Sequence, residues 1–382
     1  MMNYVFFVTL SHKNEKMKSM WMMVFMVLPI LAFAYIAWHV WAILPLAAKW
    51  KVLIILVALL CFLLLFYDLG GRLDSYPLPF AKVLYKIGTS SVIIMLYLVM
   101  LFMVLDAGRL LHIVPKSLVH ANWQMAVGIF VLLFGIFLYG HFHYMNKARV
   151  PLELKSQKPL PREYRVVMAS DLHLGYHNPR KELARWVDMM NAEDPDFILI
   201  AGDIIDMSVR PLTEERMAEE FHRLKAPVYA CLGNHEYYSG EPRTQQFYRD
   251  AGIRLLVDSA AVVDSTIVII GRDDRSNRFR KSLEDLVAMV NGQYSGQYAI
   301  LLDHQPYQLD STEKVGIDFQ LSGHTHRGQV WPISWITDAI YEKSWGRCQR
   351  GKTHYYISSG LGIWGGMFRI GTQSEYIVAT IK

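Results

Sequence analysis

Apolar positions are concentrated at the start of this chain. Four runs within the first 145 residues, at 20–46, 52–67, 90–105 and 123–140, contain no Asp, Glu, Lys or Arg. Each approaches or exceeds the ~20 residues an α-helix needs to cross ~30 Å of hydrocarbon, so the pattern predicts an all-α region of four transmembrane helices over residues 1–146. A soluble helical core is excluded because so little polar sequence is available to cover it. Trp38, Trp41, Trp50 and Trp123 fall near run ends, where aromatic belts meet the membrane interface. The first run is too long for a signal peptide, and no small-residue cleavage site precedes the next apolar segment, so it is read as retained. Asp106, Arg109 and His112 follow the third run at helical spacing and read as a helix end entering a loop.

Residues 147–163 hold three prolines within or beside them and several charges, and read as a linker. From Tyr164 the pattern changes to short apolar strands alternating with amphipathic helices. Strands are expected at 165–169, 197–201, 228–232, 261–271, 298–302 and 319–322, and helices at 180–191 and 214–224. Such alternation predicts a layered α/β fold over 164–382, and most of these strands run into polar residues at their C-terminal ends, where α/β folds place their sites.

Composition supports two chemically different halves: 53% of residues are hydrophobic and the mean hydropathy is +0.19, high for a wholly soluble protein. The net charge of +5 is mild, and its basic residues form no run that would cradle nucleic acid. They act instead as topology signals. Lys13, Lys16 and Lys18, then Arg72, Lys82 and Lys86, then Lys147, Arg149, Lys155 and Lys158 fall on one side of four spans, against Lys49, Lys51, Arg109 and Lys116 on the other. The positive-inside rule then puts the C-terminal domain in the cytoplasm, on a bacterial inner or plasma membrane. Three scattered cysteines, Cys61, Cys231 and Cys348, make no disulfide framework.

Five clusters carry the chemistry: Asp171 with His173, Asp203 after Gly202, Asn234-His235-Glu236 after Gly233, His304, and His324 with His326 after Gly323. Hydrolysis of a phosphate ester needs a nucleophile made from water at neutral pH and neutralisation of charge on the phosphoryl oxygens, which two divalent ions supply together. Carboxylate, imidazole and amide ligands without thiolate suit Mn, Fe or Zn.

The ordered blocks DLHLG (171–175), GDIID (202–206), GNHE (233–236), DHQP (303–306) and GHTH (323–326) resemble the calcineurin-like metallophosphoesterase superfamily. DLHLG, Gln329-Val330 after GHTH, and SGLG at 359–362 are similar to its bacterial branch of YkuE-like and YaeI-like phosphoesterases and lipid A pathway pyrophosphatases. The resemblance, confined to residues from about 164 onward, implies a layered β-sandwich flanked by helices. It implies that Asp171, His173 and His326 hold one metal, that Asp203 bridges, and that Asn234, His304 and His324 hold the second. His235 would face the phosphate and protonate the leaving oxygen, while a hydroxide held by the metals attacks in line; Asp206 and Glu236 would support the ligands or the fold.

Arg327 stands where the branch usually has Gly, and is a candidate contact for a second phosphate. The implied substrate is a phosphorylated small molecule or a lipid-linked phosphate at the bilayer, with a phosphomonoester, phosphodiester or diphosphate bond to cleave. Trp331, Trp335, Trp345 and Trp364, with Ile333, Ile336 and Phe368, are expected mostly in the core; the alternative is a lip on the bilayer. Other readings make the helices a transporter or sensor with a regulatory metal domain, or the domain a non-catalytic scaffold. The first lacks paired charges or broken helices in the spans, and the second is at odds with a complete ligand set.

Overall fold

The computed structural model of the protein describes residues 15–67, 71–294 and 296–382, with side chains from residue 27 onward except 68–70 and 291–295. Two compact units divide at 138/139. Lys13 and the side chains of Lys16 and Lys18 lie outside the described residues.

In the first unit α1 (Glu15–Ile43), α2 (Ala48–Tyr67), α3 (Leu78–Leu110) and the start of α4 (Trp123–Met145) follow one another. Among the described residues, three helices are long and apolar enough to cross a membrane, α2, α3 and α4, where four were expected. The difference lies in α1: its described apolar part, Val27–Ile43, is shorter than a span requires. Outward-facing Leu56, Leu60, Val104 and Phe130 are all more than half exposed, a surface that suits lipid and not water.

Where α2 meets α3, Gly88 lets the backbones touch; a Cβ there would lie 2.8 Å from the amide nitrogen of Leu65. Asp106, in the last turns of α3, accepts a hydrogen bond from the Tyr35 hydroxyl (2.7 Å) and lies 3.1 Å from Nε2 of the buried His39. The helix does end near Arg109, but its acid ties α3 to α1, a pairing across 67 residues that helical spacing could not reveal.

The second unit opens with the last two turns of α4, from Tyr139. The segment expected as a linker is instead partly strand: β1 (Ala148–Leu154) pairs parallel with β12 (Glu375–Ile381). It tolerates Pro151 because β1 is an edge strand, where a missing N–H leaves no ladder position empty. Between these two lie β2 (Tyr164–Ala169), α5 (Arg180–Ala192), β3 (Phe197–Ala201), α6 (Arg210–Glu214), α7 (Ala218–Phe221), β4 (Val228–Cys231), α8 (Asn234–Tyr238), α9 (Glu241–Asp250) and β5 (Arg254–Leu255). Then come β6 (Ser259–Val263), β7 (Ile267–Gly271), α10 (Leu283–Tyr294), β8 (Tyr298–Leu302), α11 (Leu309–Lys314), β9 (Phe319–Ser322), α12 (Ile333–Ile340), β10 (Gly346–Arg350) and β11 (Thr353–Ile357).

The strands form two six-stranded sheets, ordered β1-β12-β2-β3-β4-β5 and β10-β11-β9-β8-β7-β6. Val166, Met168, Phe197 and Leu199 of the first face Ile269, Ile300, Leu302 and Leu321 of the second in one buried core. The outer face of the first sheet packs on Leu183, Trp186 and Phe247 from α5 and α9, and that of the second on Leu286 and Val290 from α10. The result is helix, sheet, sheet, helix, the expected layered α/β sandwich. Strands β2, β3, β4, β8 and β9 are each buried throughout, as parallel strands covered on both faces must be; Arg165, the exception, sits at the start of β2.

The single strand expected at 261–271 is a hairpin of β6 and β7, broken by Asp264 and Ser265 at φ 47° and 61°, the left-handed pair that a tight hairpin turn requires. The helix expected at 214–224 is two short helices, α6 and α7, parted by Arg216 at φ 54°.

Candidate metal centre

Each chemistry-bearing cluster leaves the C-terminal end of a parallel strand. Asp171 and His173 follow β2, Asp203 follows β3, Asn234 to Glu236 follow β4, His304 follows β8, and His324 and His326 follow β9. Because β2–β4 belong to one sheet and β8–β9 to the other, the ligands meet across the sandwich at one end.

The structure brings together Asp171, His173 and His326, and separately Asp203, His304 and His324, with the potential ligand atoms of each group within 4.8 Å of one another. Oδ2 of Asp203 lies 3.0 Å from Nε2 of His304 and 3.7 Å from Nε2 of His173, so it touches both groups. Nε2 of His173 and Nε2 of His326 are 3.0 Å apart. That is the separation of two imidazoles each ~2.1 Å from one cation at about a right angle. The Asn234 side-chain oxygen is buried with no hydrogen-bond partner, an orphan that a cation would satisfy. The residues present fit divalent metal.

Five of these residues hold a backbone that L-amino acids disfavour: Asp171, His173, Asp203, His324 and His326 all have φ between 44° and 69°. Each costs roughly 1–3 kcal/mol, and such strain persists only where surrounding contacts over-determine it. Two glycines show how tightly the loops meet: a Cβ on Gly233 would run into the Asp203 carboxylate, and one on Gly323 into that of Asp171.

Buried polar groups fix the ligands. Glu236 accepts from the amides of Asp203 (3.1 Å), Gly233 (2.7 Å) and Ile205 (3.0 Å) and from the Tyr248 hydroxyl (3.1 Å), binding two ligand loops together. His304 donates from Nδ1 to the Ala201 carbonyl at 2.8 Å, which leaves Nε2 free to ligate. Asp171 is held by the Ser170 hydroxyl and by the amide of His324 (2.9 Å).

Burial pushes the Asp171 carboxyl up. Asp203, although burial opposes its charge, is held well below the usual carboxylate range by His304 and its other imidazole neighbours. Desolvation, with His304 alongside, pushes His324 down to about 3, and His326 is also held well below its ordinary value, so both imidazoles are neutral and ready to bind.

His235 sits with His173 and Asp203 in a third grouping. Its Nδ1 is 3.0 Å from the Asp206 carbonyl, which can only accept, so Nδ1 carries a proton and Nε2 turns to the site. Burial disfavours the imidazolium, but the Asp203 charge and the Asp206 hydrogen bonds outweigh it and raise the pKa to about 9. The Trp364 and Tyr238 rings, 6.4 and 5.2 Å away, wall it. Arg327 is half-buried, its guanidinium 4.1 Å from the centre of the Trp345 ring.

Two supports gave no sequence signal. Arg369, fully buried, donates to the carbonyls of His326 (2.8 Å), Ser359 (2.5 Å) and Gly362 (3.2 Å), while its own amide donates to Gly140 in α4. The hydroxyl of Tyr144, also in α4, donates to Asn178 Oδ1 (2.5 Å), and Asn178 Nδ2 donates to the carbonyls of Leu172 and His173 (3.0 Å each). The final turns of α4 are thus wired to both ends of the Asp171–His173–His326 group. A buried tyrosine and arginine at 144 and 369 carry no motif, and only their contacts reveal them.

Residues 164–328 match the family model described as Calcineurin-like phosphoesterase. An Aquifex aeolicus protein named "Uncharacterized metallophosphoesterase" is 30% identical over 260 residues, covering 66% of this chain and 97% of that protein. A Danio rerio "Transmembrane protein with metallophosphoesterase domain" is 31% identical over 233 residues, covering 57% of this chain and 53% of that protein. The Bacillus subtilis "Uncharacterized metallophosphoesterase YkuE" is 28% identical over 233 residues, 57% of this chain and 79% of that protein.

Proposed function

Because the chain belongs to the calcineurin-like metallophosphoesterases and is a metal-dependent phosphoesterase, we propose that it hydrolyses phosphate esters or diphosphates at a dinuclear centre on a membrane anchor. The supporting observation is the pair of ligand groups, each drawn from both sheets, with Asp203 of one group 3.7 Å from His173 of the other. Asp171, His173 and His326 would hold one ion, Asn234, His304 and His324 the other, with Asp203 between them. Bound there, Mn, Fe or Zn ions would lower the pKa of a shared water and neutralise phosphoryl charge.

The protein's own part is position and proton. His235, its Nδ1 fixed on Asp206, presents Nε2–H to the leaving oxygen and donates that proton as the ester bond breaks. Glu236 and Arg369 keep the ligand loops rigid so that no reorganisation is needed at that moment. Arg327 is proposed to contact a second phosphoryl group, so Arg327→Ala should slow hydrolysis of a diphosphate while sparing bis-p-nitrophenyl phosphate; equal rates on the diphosphate would remove it from the site.

The test of the reading is turnover of bis-p-nitrophenyl phosphate and p-nitrophenyl phosphate by the full chain in detergent, metal-stripped and then supplied with Mn, Fe or Zn. Turnover restored by one of these metals is expected; no turnover with any of them, despite bound ions, would favour a scaffold.

The catalytic unit is proposed to face the cytoplasm. The loop between α2 and α3, flanked by Arg72, Lys82 and Lys86, shares a side with the exit at Lys147 and Arg149 whatever α1 does, and positive residues mark the inner face. A fluorescent protein fused at the C-terminus should therefore fluoresce and an alkaline phosphatase fusion stay inactive; the reverse pair of results would turn the topology over.

A further inference from the structure

Helix α12 turns an apolar arc outward. Ser334 is buried, while Trp335, Ile336, Ala339 and Ile340, which share one arc of the helix, point outward. Trp335 is 65%, Ile336 53% and Ile340 49% exposed, and Trp331, edge-on to Trp335 at 5.3 Å, extends the patch; Trp364 is also exposed, at 36%. A helix that turns a tryptophan and two isoleucines away from its own core loses free energy in water and gains it against an apolar phase.

One end of this helix is tied to the last turns of α4. The amide of Trp331 donates to the carbonyl of Ile370 (2.7 Å), and Ile370 packs so closely on Gly140 of α4 that a Cβ there would lie 2.8 Å from it. Neighbouring Tyr139 and Phe142, 54% and 64% exposed, are the outward residues with which a spanning helix reaches the interface. Through Ile370 the apolar face is therefore joined to the end of α4 that carries these outward residues.

The other end reaches the metal ligands. Tyr341, the residue after α12, lies with its ring 6.3 Å from that of His324, and Trp364 stands 6.4 Å from His235. Eight residues of helix, about 12 Å long, thus connect the end of α4 to the surroundings of His324.

We propose that the outward face of α12, with Trp331 and Trp364, rests in the lipid interface and delivers an amphiphilic substrate, a phosphate ester bearing a long hydrocarbon chain, to the metal centre. The bilayer is the occupant of the face, and the substrate's chain lies along it while its phosphate reaches His324 and His235. The substrate class rests on the phosphoesterase reading above; the seating on lipid does not.

The test uses the full chain in nanodiscs with two probes that share a leaving group, hexadecyl p-nitrophenyl phosphate and ethyl p-nitrophenyl phosphate. Wild type should prefer the hexadecyl ester, and Trp335→Ser/Ile336→Ser/Ile340→Ser should lose that preference by about tenfold or more in kcat/KM with the ethyl ester unchanged. In nanodiscs of brominated lipid, tryptophan quenching should be smaller for Trp335→Phe than for wild type. Equal quenching of the two proteins would overturn the seating. Wild type that cleaves both esters equally well would overturn the substrate class alone. Wild type that cleaves neither ester with any metal, yet shows the quenching difference, would sink the phosphoesterase reading and the substrate class with it.

Discussion

Asp203→Asn is expected to lower kcat by at least about a thousandfold and to reduce tightly bound metal from two ions per chain to one. The carboxylate lies within reach of both ligand sets, 3.0 Å from His304 and 3.7 Å from His173. An asparagine keeps its volume and can keep the hydrogen bond that Oδ1 accepts from the amide of His235 (2.9 Å), so the fold should survive. What disappears is the negative charge that, in the proposed dinuclear centre, would let two cations approach each other. Elemental analysis of the purified full chain, alongside turnover of bis-p-nitrophenyl phosphate, checks both halves. Two retained metals with wild-type activity would mean that Asp203 does not bridge.

Removing the membrane helices up to residue 149 should cost far more than a tether. Such a chain lacks Tyr144, a fully buried side chain whose loss alone costs about 3–5 kcal/mol by analogy with other buried aromatics, and it lacks the Gly140 carbonyl that Arg369 uses. The truncated domain should bind less than one metal per chain at the Asp171–His173–His326 group and melt well below the full protein.

Tyr144→Phe isolates the polar part of this effect. It keeps the ring but leaves Asn178 Oδ1 without its donor, and with it the bonds that hold the Leu172 and His173 carbonyls. Groups that orient metal ligands are worth about 10–100-fold in metal affinity, so competition titration with a chelator should show a weaker site in that range while far-ultraviolet circular dichroism is unchanged. A Tyr144→Phe protein with wild-type affinity would reduce this contact to packing.

The candidate ligands that the structure brings together were legible in the sequence because each follows a short apolar strand and, at Asp203, Asn234 and His324, a glycine beside it. Strand ends at 201, 231, 302 and 322 differ from the expectation by no more than a residue. What escaped was whatever depends on partners far along the chain. Strand β1 looked like a linker because Pro151 and alternating charges belong to an edge strand as readily as to a loop. The tie of Asp106 to Tyr35 and His39 joins helices that no periodicity connects.

Arg369 follows Gly-Met-Phe in a stretch with no regular pattern, and its burial among carbonyl groups is a property of the folded loops alone. The aromatic stretch after His326 was expected mostly in the core. Trp345 does turn inward to donate to Glu375, but Trp331, Trp335 and Ile336 do not.

Strand β12 lies between β1 and β2, with Ala148 opposite Glu375 on one side and Met168 opposite Ile377 on the other. While the polypeptide is being made, the spanning helices and the first two strands therefore leave the ribosome long before the strand that separates them exists. Until then there is an open slot beside β2, the strand that leads into Asp171. Closure over so large a sequence separation is slow, and an unpaired strand edge is prone to wrong partners in the meantime.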